Sequence, residues 1–130
     1  MLPTSSGQQT VLIVEDEPLV RSMMVLFLLK NYHVLEADSA AEALALSNTF
    51  DGVINLLITD HSLDTMTGRQ LAEQMRQSRP DLKVLHISGH LREELEQEGG
   101  LMPGAAFLGK PFSPGDLTKK VTQVLVSSLG

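Results

Sequence analysis

Short apolar runs alternate along the chain with segments in which apolar residues recur at helical spacing. An unbroken run such as Val11 to Val14 is typical of a strand that is buried on both faces of a parallel sheet. The runs predict five β-strands, at residues 11–14, 32–36, 53–59, 84–88 and 105–108. The first of these runs ends in charged residues and a proline, and it is predicted to be a central strand of the sheet.

Helical patterns occupy the segments between these runs. Pro18 suits the first turn of a helix, and residues 19–30 carry apolar side chains without a clean polar face, so this helix is predicted to be well buried or to cover a wide face. Ser39 is the predicted N-cap of a helix at 40–47, with Glu42 at its N3 position. Further helices are predicted between Gly68 and Pro80, at 91–98, and from Ser113 toward the end of the chain.

The order of these elements indicates the fold class. Strand and helix alternate five times, and right-handed crossovers between parallel strands are the simplest way to connect such a series. The sequence therefore predicts an α/β fold, in which an open parallel sheet has helices on both faces. Residues 1–9 are small and polar and are predicted to form a flexible tail or linker, which leaves residues 10–130 as one domain.

Composition restricts the classes of function. A chain of 130 residues suits one domain, and ten basic against 16 acidic residues give a net charge of −6. The chain lacks the clustered positive charge that nucleic-acid binding requires, and the absence of cysteine excludes thiolate nucleophiles and cysteine-based metal sites. The first residues show no signal-peptide pattern, and the longest apolar run, at 23–29, is far too short to span a membrane. We therefore expect a soluble, cytoplasmic protein that binds neither nucleic acid nor membranes.

Polar side chains follow the predicted strands at the edge of the sheet where open α/β folds bind ligands. Glu15 and Asp16 follow the first strand, and Asp60 follows the third. If these strands are neighbours, the carboxylates share a small space in which they cannot all ionise without a cation. Because oxygen ligands favour a hard ion, the sequence predicts Mg²⁺ as a cofactor.

Two further strand ends supply groups that can bind phosphoryl oxygens. Ser88 offers a hydroxyl and Lys110 an ammonium group. Asp60 is then the predicted nucleophile, because carboxylates form aspartyl phosphates when a metal neutralises the approaching charge. Each of these residues alone is explained as readily by a turn or a surface charge, so the prediction depends on their combination.

At these positions the chain resembles the receiver domains of bacterial two-component response regulators, from about Thr10 to its end. The motifs that carry the resemblance are the acidic segment 14–18, the acceptor strand 58–60, Gly68, Ser88 with Gly89, and the segment 107–112. The resemblance implies a flavodoxin-like sheet with the strand order 2-1-3-4-5.

The resemblance also implies a mechanism. Asp60 would accept a phosphoryl group from a phosphohistidine on a histidine kinase or a histidine phosphotransfer domain. Lys110 would pair with the phosphoryl group, while Ser88 would move toward it and Phe107 would rotate inward. A cis Lys110–Pro111 bond would direct the lysine into the pocket. The implied Mg²⁺ ligands are Asp16, Asp60, the Ser62 carbonyl and, through water, Glu15.

The resemblance further implies an output face and a context. The output face comprises the helix at 91–98 and the fifth strand, and it would allow a homodimer. Asp64 departs from the family, whose members often have Pro at this position. Residues 2–4 resemble the end of the ATP-binding domain of histidine kinases, and the segments 88–90 and 104–112 resemble receivers at the ends of hybrid sensor kinases. We therefore expect a receiver from the end of such a kinase.

Two other functions stay open on the sequence. A metal-dependent phosphohydrolase would also use Asp60 as its nucleophile, although Ser62 stands where such enzymes have a second acid. A pseudo-receiver would act as an interaction domain without phosphate. The leading hypothesis is a regulatory domain that catalyses only its own phosphorylation and dephosphorylation and is not an enzyme acting on an external substrate.

Overall fold

The computed structural model describes residues 8–63, 65–89 and 103–126, which form five strands and four helices. The predicted helix at 91–98 and the position of Asp64 lie outside the described residues. In chain order the elements are β1 (Thr10–Val14), α1 (Pro18–Leu28), β2 (His33–Ala37), α2 (Ala40–Thr49), β3 (Leu56–Asp60), α3 (Gly68–Ser78), β4 (Lys83–Ser88), β5 (Ala106–Gly109) and α4 (Pro114–Val126).

The five strands form one parallel sheet in the order β2-β1-β3-β4-β5. The α/β prediction and the strand order implied by the family resemblance are both confirmed. The register pairs Val14 with Thr59 and Ser88 with Gly109. Because parallel strands end at the same edge of a sheet, the residues that follow β1, β3, β4 and β5 lie close together.

Each face of the sheet has its own apolar core. α1 and α4 cover one face, whereas α2 and α3 cover the other. Every residue of β1 is buried, as expected for a strand that is covered on both faces. The buried apolar residues of the helices are Met24, Leu28, Leu117 and Val121 on the first face, and Ala40, Ala43, Leu71, Ala72 and Met75 on the second.

Side-chain caps mark the beginnings of three helices. The Ser39 hydroxyl accepts a hydrogen bond from the Glu42 N–H at 3.1 Å, and the Ser113 hydroxyl accepts one from the Asp116 N–H at 3.0 Å. Thr67 forms a reciprocal capping box at the start of α3. These bonds satisfy backbone donors that a helix leaves unpaired at its N-terminus, and they confirm the predicted caps at residues 39 and 113.

β3 is shorter than the sequence pattern predicts, because it begins at Leu56 rather than at Val53. Val53 is 70% exposed and lies before the strand, although its apolar side chain predicted a strand residue. The Asn55 side chain accepts a hydrogen bond from the Thr10 N–H at 2.8 Å, which gives residues 53–55 the role of a connection into the strand. The other four strands lie within one residue of their predicted bounds.

α1 begins at Pro18 as predicted, and it covers a wide face rather than being well buried, because the half-buried Val20, Val25 and Phe27 pack against the core beside its buried residues. Met24 and Leu28 are its buried residues, whereas Leu19 and Leu26 are 80% and 66% exposed. The helix lies in an outer layer, so only one of its sides packs against the sheet and α4. No helix in the described ranges is both long and apolar enough to cross a membrane.

His86 is a fully buried histidine in the middle of β4. Its ring lies edge-on to the buried ring of His61, with 6.3 Å between the ring centroids. Burial lowers the pKa of His86 from the ordinary 6.5 to about 4, and the electrostatic interactions with His61 and Arg69 act in the same direction. The folded protein therefore holds His86 neutral at a pH where the unfolded chain binds a proton there.

We expect this difference to make the protein less stable in mild acid. Because the unfolded state binds more protons at this residue, the free energy of unfolding should fall from about pH 6.5 toward pH 4, by about 2 to 3 kcal/mol at pH 4.5. Urea unfolding of the native chain and of His86→Leu at pH 7.5 and 4.5 measures the effect. The variant should lose less stability than the native chain, and equal losses would show that His86 does not contribute.

Candidate functional site

Three carboxylates meet where β1 and β3 end. Glu15 and Asp16 follow β1, and Asp60 is the last residue of β3. One oxygen from each carboxylate lies within 4.8 Å of the other two. Glu15 is buried, Asp60 is half-buried and Asp16 is exposed, so the cluster extends from the protein interior to the surface. The structure thus brings together the three acidic residues that the sequence predicted to be neighbours.

The buried Glu15 side chain has a partner on each oxygen. Its Oε1 lies 3.1 Å from Lys110 Nζ, and its Oε2 accepts a hydrogen bond from the Glu17 N–H at 3.2 Å. Burial raises the pKa of Glu15 above its ordinary value, although the Glu17 hydrogen bond and Lys110 oppose this effect. With both oxygens engaged inside the protein, Glu15 is better placed to act on a cation through water than to bind it directly.

Lys110 connects the buried and the accessible parts of the cluster. Its Nζ lies 3.0 Å from Asp60 Oδ2 as well as 3.1 Å from Glu15 Oε1. Burial alone would lower the pKa of Lys110, but the ion pairs with Asp60 and Glu15 outweigh burial and raise that pKa. A positive charge is therefore held against the carboxylate of Asp60 at neutral pH.

The second oxygen of Asp60 faces the loop that follows β3. Asp60 Oδ1 accepts a hydrogen bond from the Ser62 N–H at 3.4 Å, and the Asp60 side chain is 16% exposed. Ser62 is exposed and forms an isolated antiparallel bridge with Thr67. The Asp60 carboxylate is therefore partly accessible to solvent.

The remaining predicted site residues lie on β4 and β5. Ser88 is buried at the end of β4, and its backbone carbonyl accepts a hydrogen bond from the Lys110 N–H at 2.8 Å. Phe107 is half-buried on β5, in register with His86. The Lys110–Pro111 bond is cis, as the resemblance implied. Ser88 and Lys110 are thus neighbours at the edge of the sheet, while Phe107 lies further back along β5.

The donor set of this cluster suits a hard divalent cation. The side chains of Glu15, Asp16 and Asp60 supply oxygen atoms, and Lys110 offsets only part of their negative charge. Mg²⁺ binds one or two carboxylates and keeps several waters, which a partly open cluster allows. The residues present therefore fit the predicted Mg²⁺.

Thr59 and Gly68 fix the backbone at Asp60 and His61. The Thr59 hydroxyl donates a hydrogen bond to the Asp60 carbonyl at 2.9 Å, and the Gly68 N–H donates one to the His61 carbonyl at 2.7 Å. A Cβ atom at Gly68 would lie 2.4 Å from the Asp60 carbonyl oxygen. The first residue of α3 must therefore lack a side chain, a constraint that hydrophobic periodicity does not reveal.

We expect Gly68→Ala to reduce the free energy of unfolding by about 1 to 3 kcal/mol, since the new methyl group must displace backbone rather than a flexible side chain. Gly115→Ala is the matched control, because Gly115 also lies in the first turn of a helix and its added Cβ would meet only Ser113 Oγ, at 3.8 Å. Urea unfolding should show a loss for the first variant and little change for the second. Equal stability in the two variants would contradict the steric explanation.

Comparisons with known proteins lead to one family. A family model described as the response regulator receiver domain matches residues 11–122. Sensor kinase CckA of Brucella abortus is 34% identical over 121 residues, which cover 92% of this chain but 13% of that kinase. Response regulator receiver protein CpdR of the same organism is 30% identical over 119 residues, which cover 91% of this chain and 98% of CpdR. Among solved structures, a response regulator receiver protein from Sinorhizobium medicae superposes with a TM-score of 0.82 at 26% identity, covering 94% of this chain and 98% of that one.

Proposed function

The chain belongs to the response regulator receiver domain family, and on this basis we propose that Asp60 is the phospho-acceptor of a two-component phosphorelay. The observation that carries the proposal is the cluster of Glu15, Asp16 and Asp60 with Lys110 paired to two of its members. The cluster combines an accessible carboxylate, oxygen ligands for a divalent cation and a fixed positive charge. Phosphoryl transfer depends mainly on such positioning and electrostatic stabilisation.

In the proposed reaction a carboxylate oxygen of Asp60 attacks the phosphorus of a phosphohistidine. The new O–P bond forms as the P–N bond breaks, and the imidazole, protonated on its other nitrogen, leaves with the bonding electrons as neutral histidine. The product is an acyl phosphate on Asp60. The chain thereby acts as a nucleophile toward its partner and turns over no external substrate.

Each neighbour of Asp60 has a part in this reaction. Lys110 Nζ, which lies 3.0 Å from Asp60 Oδ2, would move its pairing to a phosphoryl oxygen as negative charge arrives there. When bound, Mg²⁺ would neutralise charge between the acids and the phosphoryl oxygens. The residues that would hold Mg²⁺ are Asp16, Asp60, the carbonyl of Ser62 and, through water, Glu15.

The bond between Lys110 and Ser88 suggests how phosphorylation would change the protein surface. Because the Lys110 N–H binds the Ser88 carbonyl at 2.8 Å, a shift of the lysine toward a phosphoryl group would also act on the end of β4. The Ser88 hydroxyl would donate to the phosphoryl group, and the half-buried Phe107 would take up the space that Ser88 leaves. β5 would then present a different surface to a partner.

The proposed donor is a histidine kinase or a histidine phosphotransfer domain. The similarity to sensor kinase CckA supports a receiver that forms one part of a hybrid kinase, since the match covers 13% of that protein. The similarity to CpdR, 98% of which is covered, supports a receiver that acts as a separate chain. We favour the hybrid kinase because the segments 88–90 and 104–112 resemble the receivers of such kinases.

Incubation with acetyl phosphate and Mg²⁺, followed by intact mass spectrometry, tests the proposal. We expect the native chain to gain the mass of one phosphoryl group, to lose it on treatment with hydroxylamine, and to gain none when EDTA is present throughout. A native chain that stays unmodified would contradict the proposal and favour a pseudo-receiver. Release of phosphate over many turnovers from an unrelated monoester would favour the phosphohydrolase instead.

A further inference from the structure

Arg21, in the first turn of α1, binds the end of β1. Its Nη1 donates a hydrogen bond to the backbone carbonyl of Glu15 at 2.8 Å, and its Nε lies 3.2 Å from Glu36 Oε1. The Arg21 side chain is 19% exposed, whereas that of Glu36 is 53% exposed. The guanidinium group therefore joins α1, the loop that follows β1 and the edge strand β2.

The carbonyl that Arg21 binds lies in the loop of residues 15–17, which connects β1 to α1. The Glu15 N–H donates to the Ala37 carbonyl at 3.1 Å, and Glu15 Oε2 accepts from the Glu17 N–H at 3.2 Å. The carbonyl of Glu15 and the N–H of Asp16 belong to the same peptide plane. By fixing this plane, Arg21 also fixes the direction in which the chain enters Asp16, the exposed member of the cluster.

The helix dipole does not explain a cation at this position. A positive charge in the first turn of a helix is unfavourable, by about 0.3 to 1 kcal/mol. The ion pair with the exposed Glu36 stabilises the fold by about 1 kcal/mol or less, as exposed ion pairs generally do, so it does no more than offset the unfavourable dipole interaction. The hydrogen bond to the Glu15 carbonyl is therefore the interaction that best accounts for an arginine at this position.

We propose that Arg21 is a positioning residue for the Mg²⁺ site. By holding the Glu15 carbonyl, it keeps the side chains of Glu15 and Asp16 in the arrangement that binds the cation, and it touches none of the reacting atoms. This inference rests on the proposed function, because the acidic cluster must bind Mg²⁺ for its arrangement to matter.

If Arg21 acted only through its charge, its removal would strengthen Mg²⁺ binding. Coulomb's law predicts this, because removing a positive charge near three carboxylates increases their attraction for Mg²⁺. Removing a group that orients metal ligands should weaken the binding, typically by about tenfold or more. The sign of the change in Mg²⁺ affinity therefore separates a positioning role from a purely electrostatic one.

The test is isothermal titration of metal-free protein with Mg²⁺, using the native chain, Arg21→Met, Arg21→Lys and Glu36→Gln. We expect Arg21→Met to raise the Kd for Mg²⁺ about tenfold. The Kd of Arg21→Lys, which keeps the positive charge and a hydrogen-bond donor, should lie between the values for Arg21→Met and the native chain. Glu36→Gln, which removes the ion pair but keeps Arg21, should stay within about twofold of the native Kd.

A second measurement needs no metal. The Glu17 N–H, which donates to Glu15 Oε2 at 3.2 Å, should exchange with solvent faster in metal-free Arg21→Met than in the native chain. Circular dichroism checks that each variant is folded. If Arg21→Met does not fold, Arg21→Lys takes its place, with a Kd above the native value as the expected result.

Three outcomes overturn the inference. Mg²⁺ affinity in Arg21→Met that equals or exceeds the native affinity would leave the proposed function intact and refute the positioning role alone. A loss in Glu36→Gln as large as that in Arg21→Met would assign the effect to the ion pair instead of the carbonyl. A native chain that binds no Mg²⁺ would refute this inference together with the metal site of the proposed function.

Discussion

Asp60→Asn is expected to abolish phosphoryl uptake from acetyl phosphate in the presence of Mg²⁺. An amide is nearly the same size as a carboxylate, so the variant should fold, but its oxygen is too weak a nucleophile to displace a leaving group from phosphorus. The exchange also removes one of the clustered negative charges. We therefore expect the free energy of unfolding to stay the same or to rise slightly.

Intact mass spectrometry over a time course measures the effect of Asp60→Asn. Asp81→Asn is the matched control, because Asp81 is an exposed aspartate outside the cluster, and this variant should be modified at the native rate. Peptide mapping of the native adduct should place the phosphoryl group on the peptide that contains Asp60. Equal uptake by Asp60→Asn and the native chain would mean that another residue is the acceptor.

Lys110→Met is expected to slow phosphoryl uptake on the order of 100-fold, since it removes the one cationic side chain that is paired to Asp60 among the described residues. Methionine has an unbranched side chain of similar length, so the substitution mainly removes the positive charge. Lys119→Met, on the exposed side of α4, removes the same charge far from the cluster and should leave the rate unchanged. A native rate in Lys110→Met would exclude this lysine from the reaction.

The same substitution should change how stability depends on pH. Without Lys110, the buried Glu15 loses its ion pair, so its pKa, which burial already raises, should rise further. The folded chain then binds more protons at Glu15 than the unfolded chain does, so the contribution of Glu15 to the free energy of unfolding should increase as the pH falls from about 7.5 to 5.5. Urea unfolding at both pH values should show a smaller deficit of Lys110→Met relative to the native chain at the lower pH. A deficit that grows in acid would contradict this sign.

Apolar runs predicted the strands well because the interior strands of a parallel sheet are covered on both faces and leave a continuous signal. The prediction was wrong at Val53 and left the extent of burial of α1 open, and apolar side chains are exposed in both places. Periodicity reports which residues are apolar but does not report what covers them. The hydrophobic pattern therefore could not distinguish a helix buried on all sides from one in the outer layer of a three-layer fold.

The acidic cluster was predictable from the sequence because each of its members follows a strand, and parallel strands end at one edge. The neighbours that shape the cluster were not predictable in the same way. Gly68 and Arg21 act through backbone carbonyls of residues 60 and 15, and such contacts depend on distances that appear only after folding. The chemical roles of Asp60 and Lys110 remain predictions that the experiments above address.

β5 lies at one side of the sheet, and all four of its residues are half-buried, whereas all five residues of β1 are buried. Displacing β1 would expose several large apolar side chains, each at a cost of about 1.5 to 3 kcal/mol. Because β5 is only half-buried, we expect its displacement to cost less, so the strand that leads to Lys110 should move more readily than the centre of the sheet. If Asp60 is phosphorylated as proposed, we expect the change to reach the rim of the molecule through β5 while the centre of the sheet keeps its shape, so that the domain can switch repeatedly without unfolding.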